Sequence, residues 1–117
     1  MSDKLVPFDK ILEHFGGDQE LLVETIGFLN DTIDDLFAEI TKAKDASDPA
    51  QMGNAAHTLK GAISNFLIVD VVAIALEVET AGRANQLDEA IKHYEKLGPA
   101  IEQIKSEVQE YLKANGK

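Results

Sequence analysis

Leu22, Ile26, Leu29, Ile33, Leu36 and Ile40 follow one another at steps of three and four residues. At about 100° per residue these side chains form a single stripe along an α-helix, whereas a strand would scatter them over both of its faces. The helix has a good cap in Asp18, and Glu20 and Glu24 complement its positive end. It runs to about Lys44, where Lys42 and Lys44 suit the negative end. Such a helix spans roughly 40 Å. A stripe of that length is a bundle seam and has to be covered by other helices.

The rest of the chain supplies them. Residues 7–15 read as a short helix in which Pro7 suits the first turn and Phe8, Ile11, Leu12 and Phe15 share a face; Gly16-Gly17 stops it. After the break at Asp45-Ala46-Ser47-Asp48-Pro49, Asp48 is the expected cap of a third helix, with Pro49 in its first turn and Gln51 placed as a capping-box partner. That helix runs to about Phe66. The run Leu67 to Ile74 is rich in β-branched residues and would suit a buried strand, but no second strand-like run exists to pair with it. It reads instead as a turn near residues 67–69 and a helix from Asp70, as cap, to Arg83. Gly82-Arg83-Ala84-Asn85 interrupts the pattern again. The last helix extends from about Leu87 to Leu112 on the stripe Leu87, Ile91, Tyr94, Leu97, Ile101, Ile104, Val108 and Tyr111, and Gly98-Pro99 is expected to kink or split it. Short connections make neighbours antiparallel. The expected fold is all-α: an up-down-up-down four-helix bundle, with the short N-terminal helix capping one end, in a single domain over residues 1–117.

Composition narrows the function. There is no cysteine, which removes disulfides, thiol catalysis and zinc-thiolate sites. A net charge of -10 disfavours nucleic acid and anionic lipid surfaces and points to a protein partner. No apolar run has the length of a signal peptide or a membrane span, so a cytoplasmic location is expected. No Gly-x-x-x-x-Gly-Lys loop or kinase-like glycine cluster is present, so the chain is not expected to take phosphate from ATP.

The third helix carries the most informative residues. With Leu59 as the centre of its apolar stripe, Met52, Ala55, Ala56, Ile63 and Phe66 lie within about 60° of that line. His57, Lys60, Gly61, Ser64 and Gly53 fall on the far side. A glycine within a helix costs about 0.5–1 kcal/mol relative to alanine. Two of them flanking an outward histidine suggest that bulk beside the imidazole is avoided. An exposed, uncrowded histidine with a lysine three residues on suits a nucleophile for a phosphoryl group. If the chain turns near residue 68, His57 lies 11 residues before the turn and Glu79 lies 11 after it, which sets them side by side on antiparallel helices. A carboxylate accepting the Nδ1 proton leaves the Nε2 lone pair free, while also favouring the imidazolium. By the same arithmetic Arg83 faces Gly53, one turn from His57. Lys60 and Arg83 are the only basic residues between Lys44 and Lys92. A cation beside a phosphoryl group stabilises its charge.

The run His57-Thr58-Leu59-Lys60-Gly61 resembles the phosphorylation-site motif of histidine phosphotransfer (HPt) domains. Val78-Glu79 followed by Gly82-Arg83 resembles the family's Leu-Glu-x-x-Gly-Arg signature, with Val78 in the leucine place. The similarity extends from about Phe8 to Leu112; glycine is usual in the family where this chain has Leu67. The resemblance implies that His57 takes a phosphoryl group from a receiver-domain aspartate or a hybrid kinase and passes it to another receiver. It implies that Lys60 stabilises phosphoryl charge, that Glu79 orients the imidazole and that Gly61 keeps the approach open. Partners would be a response-regulator receiver domain and a sensor or hybrid histidine kinase. No cofactor or metal of its own is expected, the receiver bringing Mg²⁺, and the chain is expected to be a monomer and a carrier rather than an enzyme.

Plainer readings stand beside these. The alternative function is a helical adaptor that docks on a receiver or kinase without being phosphorylated. A metal-binding bundle would require paired ligands, which His14, His57 and His93 do not offer. His14 and His93 read as solvated. Arg83 suits a helix-end cation, and Ser64 a surface residue that could reach a phosphoryl oxygen. Val72 and Leu76 exceed what one stripe of the fourth helix requires, and form either a widened buried face or an apolar docking patch near His57.

Overall fold

The computed structural model describes residues 4–115. Five helices follow one another: α1 Phe8–His14, α2 Gln19–Asp45, α3 Pro49–Ser64, α4 Val69–Arg83 and α5 Leu87–Asn115. No strand occurs among the described residues. Helices α2 to α5 form the antiparallel four-helix bundle expected from the periodicity, and α1 packs on α2. The stripe residues converge on one core, in which Ile26, Ile33, Ile40, Met52, Leu59, Ile63, Val78, Leu97 and Ile104 are fully buried. Leu36, counted in the α2 seam, is only partly buried.

The helix ends follow local chemistry. The Asp18 side chain accepts from Leu21 N–H at 3.0 Å, and that of Asp48 accepts from Gln51 N–H at 3.1 Å. The reciprocal half of the capping box is absent, because Asp48 N–H is already donated to Ala43 C=O at 2.9 Å. Ser47 and Asn85 end α2 and α4 in the left-handed region, at φ 54° and 61°.

The α3–α4 turn differs from its expected form. Ile68 occupies the cap position with no side-chain bond, and Asp70 lies inside the first turn of α4, where it faces the helix dipole instead of capping. Leu67 turns the chain at φ 56°, a conformation that favours glycine, while its side chain packs against the core. Burial of that leucine offsets backbone strain that glycine would not have.

Helix α5 is neither ended nor split at Pro99. Pro99 and Glu95 are both exposed, so the proline falls on the side of α5 where a lost backbone hydrogen bond costs least. The segment before α1 is tied to α5 by a residue that periodicity alone does not single out. The buried carboxylate of Glu107 accepts from Leu5 N–H at 2.9 Å and Val6 N–H at 2.8 Å, and Phe8 stacks on Tyr111 with centroids 4.1 Å apart.

Candidate functional site

Helices α3 and α4 touch backbone to backbone. A Cβ added to Gly82 would lie 2.7 Å from Gly53 N and 3.0 Å from Gly53 Cα. A Cβ on Gly53 would lie 3.1 Å from both Arg83 N and Glu79 O. A carbon on Gly82 would force a helix to shift, and one on Gly53 would force the facing backbone to give by a few tenths of an ångström. This corrects the reading of Gly53: it is buried against α4, and its smallness serves the helix crossing rather than access to the imidazole. Gly61 differs, since a Cβ there would meet nothing within 4 Å.

The crossing fixes what lies one turn away on each helix. His57 follows Gly53 by four residues and Glu79 precedes Gly82 by three, and the two side chains meet. His57 Nδ1 is 2.9 Å from Glu79 Oε2. A carboxylate only accepts, so a proton lies on Nδ1, and in the neutral ring Nε2 carries the lone pair. The imidazole is 57% exposed and the Glu79 side chain 8%. Lys60 Nζ lies 2.8 Å from Glu79 Oε1, and Arg83 Nη1 donates to Oε2 at 2.7 Å. Burial alone would push the Glu79 carboxyl up, but hydrogen bonds from Lys60 and His57 and the charges of Lys60 and Arg83 outweigh it and hold it below its ordinary value of 4.5. A buried carboxylate is thus ionised, its oxygens shared by two cations and an imidazole.

The remaining candidates are spread around this cluster. The Arg83 stem passes over Gly53, as the chain arithmetic expects, with Cγ 3.0 Å from the position a Cβ would take there. Ser64 Oγ donates to Gly61 C=O at 3.0 Å, within its own helix. Val72 is half-buried and packs on the core, whereas Leu76 is 47% exposed beside a concavity of about 320 Å³ between α4 and α5. On the α4 wheel both lie within about 60° of Glu79.

One residue goes unnoticed in the sequence and another is misread there. Phe28 on α2 is 69% exposed and lines a concavity of about 390 Å³ with Phe15, Ala62, Asn65 and Phe66, beyond Gly61 along α3. The available signal was an aromatic residue one step off the Leu29 seam. His93 is not solvated: its side chain is 18% exposed, with Nδ1 3.1 Å from Glu77 Oε1 on α4 and Nε2 3.8 Å from Glu89 Oε1.

Among the described residues, no cluster of three or more His, Asp or Glu side chains is arranged to hold a metal ion. No helix among the described residues is long and apolar enough to cross a membrane. What the cluster offers is an outward nitrogen nucleophile, oriented by a carboxylate and flanked by cations.

The family model described as Hpt domain matches residues 21–113. No curated protein sequence matches the chain. The fold is similar to that of the HPT domain from an Hpt sensor hybrid histidine kinase of Shewanella, with a TM-score of 0.83 and 19% identity over 97% of each chain.

Proposed function

The chain belongs to the histidine phosphotransfer (HPt) domain family, and from that membership we propose that it is a phosphorelay intermediate whose phosphoryl acceptor is His57. The observation that carries the reading is the 2.9 Å contact between His57 Nδ1 and Glu79 Oε2 on an exposed ring. With its proton held on Nδ1, Nε2 attacks the phosphorus of a receiver's aspartyl phosphate in line. The N–P bond forms as the P–O bond to aspartate breaks, and the aspartate leaves as a carboxylate. The ring gains a positive charge, which the Glu79 carboxylate stabilises. Lys60, whose ammonium rests 2.8 Å from Glu79 Oε1, lends its positive charge to the phosphoryl group from that position. Gly61 leaves room for the incoming domain, and the reverse step hands the group to a second receiver aspartate.

Receiver domains and histidine kinases are the partners of this reading. The receiver supplies Mg²⁺, and the chain carries phosphate without making it from ATP. It acts in the cytoplasm and as a monomer.

The test is incubation with a phosphorylated receiver and Mg²⁺, followed by assay for an acid-labile, alkali-stable phosphoryl group on the protein. The parent is expected to acquire that group and His57→Gln to lose it entirely. Transfer that survives the substitution rules out the site. Receiver binding without any transfer to the parent favours the unphosphorylated adaptor.

A further inference from the structure

The arrangement around Glu79 raises a chemical difficulty for an acceptor histidine. A buried, ionised carboxylate against Nδ1 favours the imidazolium, and an imidazolium has no lone pair on Nε2. The oxygen facing His57 is not free, however. Glu79 Oε2 accepts at the same time from Arg83 Nη1 at 2.7 Å, closer than the 2.9 Å to the imidazole. Oε1 is taken by Lys60 at 2.8 Å. The charged groups that meet beside the ring are Lys60 from α3 and Glu79 and Arg83 from α4, while Glu39 from α2 lines a concavity with Asn54 and Thr58 that does not include His57. The one carboxylate in contact with the imidazole is thus itself in contact with two cations.

Building on the acceptor reading, we infer that Arg83 is a positioning residue of the transfer site, which shares Glu79 Oε2 with the imidazole and offsets the carboxylate so that His57 keeps an unprotonated Nε2. Glu79 alone would orient the ring and draw a second proton onto it. Glu79 with Arg83 and Lys60 orients the ring while the local charge opposes that proton. Arg83 acts through Glu79 and does not touch the reacting atoms. Its role is distinct from docking and from the ordinary helix-end cation, which would require no contact with Glu79.

The experiment compares the parent with Arg83→Gln, Arg83→Lys and Arg83→Gln/Glu79→Gln. The protonation midpoint of the His57 ring is followed by NMR in the unphosphorylated proteins, and the initial rate of phosphoryl acceptance is measured from pH 6 to 9. In Arg83→Gln the midpoint moves to higher pH, and acceptance at pH 6.5 falls about two- to fivefold, a loss that shrinks as the pH is raised. Arg83→Lys restores the parent midpoint, and the double variant cancels the shift because no carboxylate remains to be offset. An unmoved midpoint in Arg83→Gln, or a loss of rate equal at every pH, overturns the inference. The NMR titration needs no transfer, so it decides the role of Arg83 even if the acceptor reading fails. A parent that takes no phosphoryl group overturns only that reading.

Discussion

His57 and Glu79 stand 22 positions apart in the chain and 2.9 Å apart in space. Each is supplied by a different helix, and the bond between them decides which ring nitrogen faces outward. Glu79→Ala removes the acceptor for Nδ1 and frees the ring to rotate. Phosphoryl acceptance is expected to fall by about 10- to 100-fold, as for a misplaced reacting group. Glu79→Gln, whose amide oxygen still accepts from Nδ1, loses less. Initial rates from a phosphorylated receiver check the order, and equal losses in the two variants would contradict it.

The two glycines of α3 and α4 that pack on each other should respond differently from Gly61. Gly82→Ala places a carbon 2.7 Å from Gly53 N and is expected to cost about 1–3 kcal/mol, read as a lower denaturant midpoint, together with slower transfer as Glu79 is pushed from His57. Gly61→Ala meets nothing and should gain about 0.5–1 kcal/mol from helix propensity, while slowing transfer severalfold by adding bulk at the approach.

The depressed Glu79 carboxyl sets a direction for stability against pH. The folded state holds this group below its ordinary value of 4.5, so folding favours the ionised form. Its contribution is complete above the unfolded value and disappears as the pH falls through the lower folded value. The stability difference between the parent and Glu79→Gln should therefore be constant near neutrality and narrow on acidification below about 4.5. Urea denaturation at a series of pH values checks this, and a difference that widens in acid would refute it.

On α4, Leu76 is open to water and Val72 packs on the core, so the two should separate when substituted singly. Leu76→Ser is expected to leave the melting temperature unchanged and to weaken receiver binding by up to about tenfold. Val72→Ser is expected to cost about 1 kcal/mol of stability. Calorimetric melting and titration with a receiver domain check both halves.

Much of this was legible beforehand. The α2 seam, the Asp18 and Asp48 caps and the approach of Glu79 and Arg83 to α3 follow from periodicity and from equal chain distances about a turn. What escaped depends on a second helix. A wheel drawn on Leu59 places Gly53 on the outer side of α3, because it knows one core direction and not the direction from which α4 arrives. His93 looked solvated because Glu77, its partner, sits on α4. Glu107 is a charged residue beside the apolar stripe of α5, and only the folded chain brings Leu5 and Val6 to it. The cap of α4 was misjudged because Leu67 turns the chain in a conformation that leucine seldom adopts.

The meeting of Gly53 and Gly82 works as a caliper. Where bare peptide rests on bare peptide, the gap between acid and base is gauged by atoms that every residue shares, not by the fit of larger side chains. Trimming a distant core side chain, such as Ile26→Val, would lower the melting point by an amount equivalent to about 0.5–1.5 kcal/mol and leave the imidazole at its post. A distant core side chain then bears on the strength of the bundle alone, whereas the glycine crossing bears on strength and on the placing of the imidazole together.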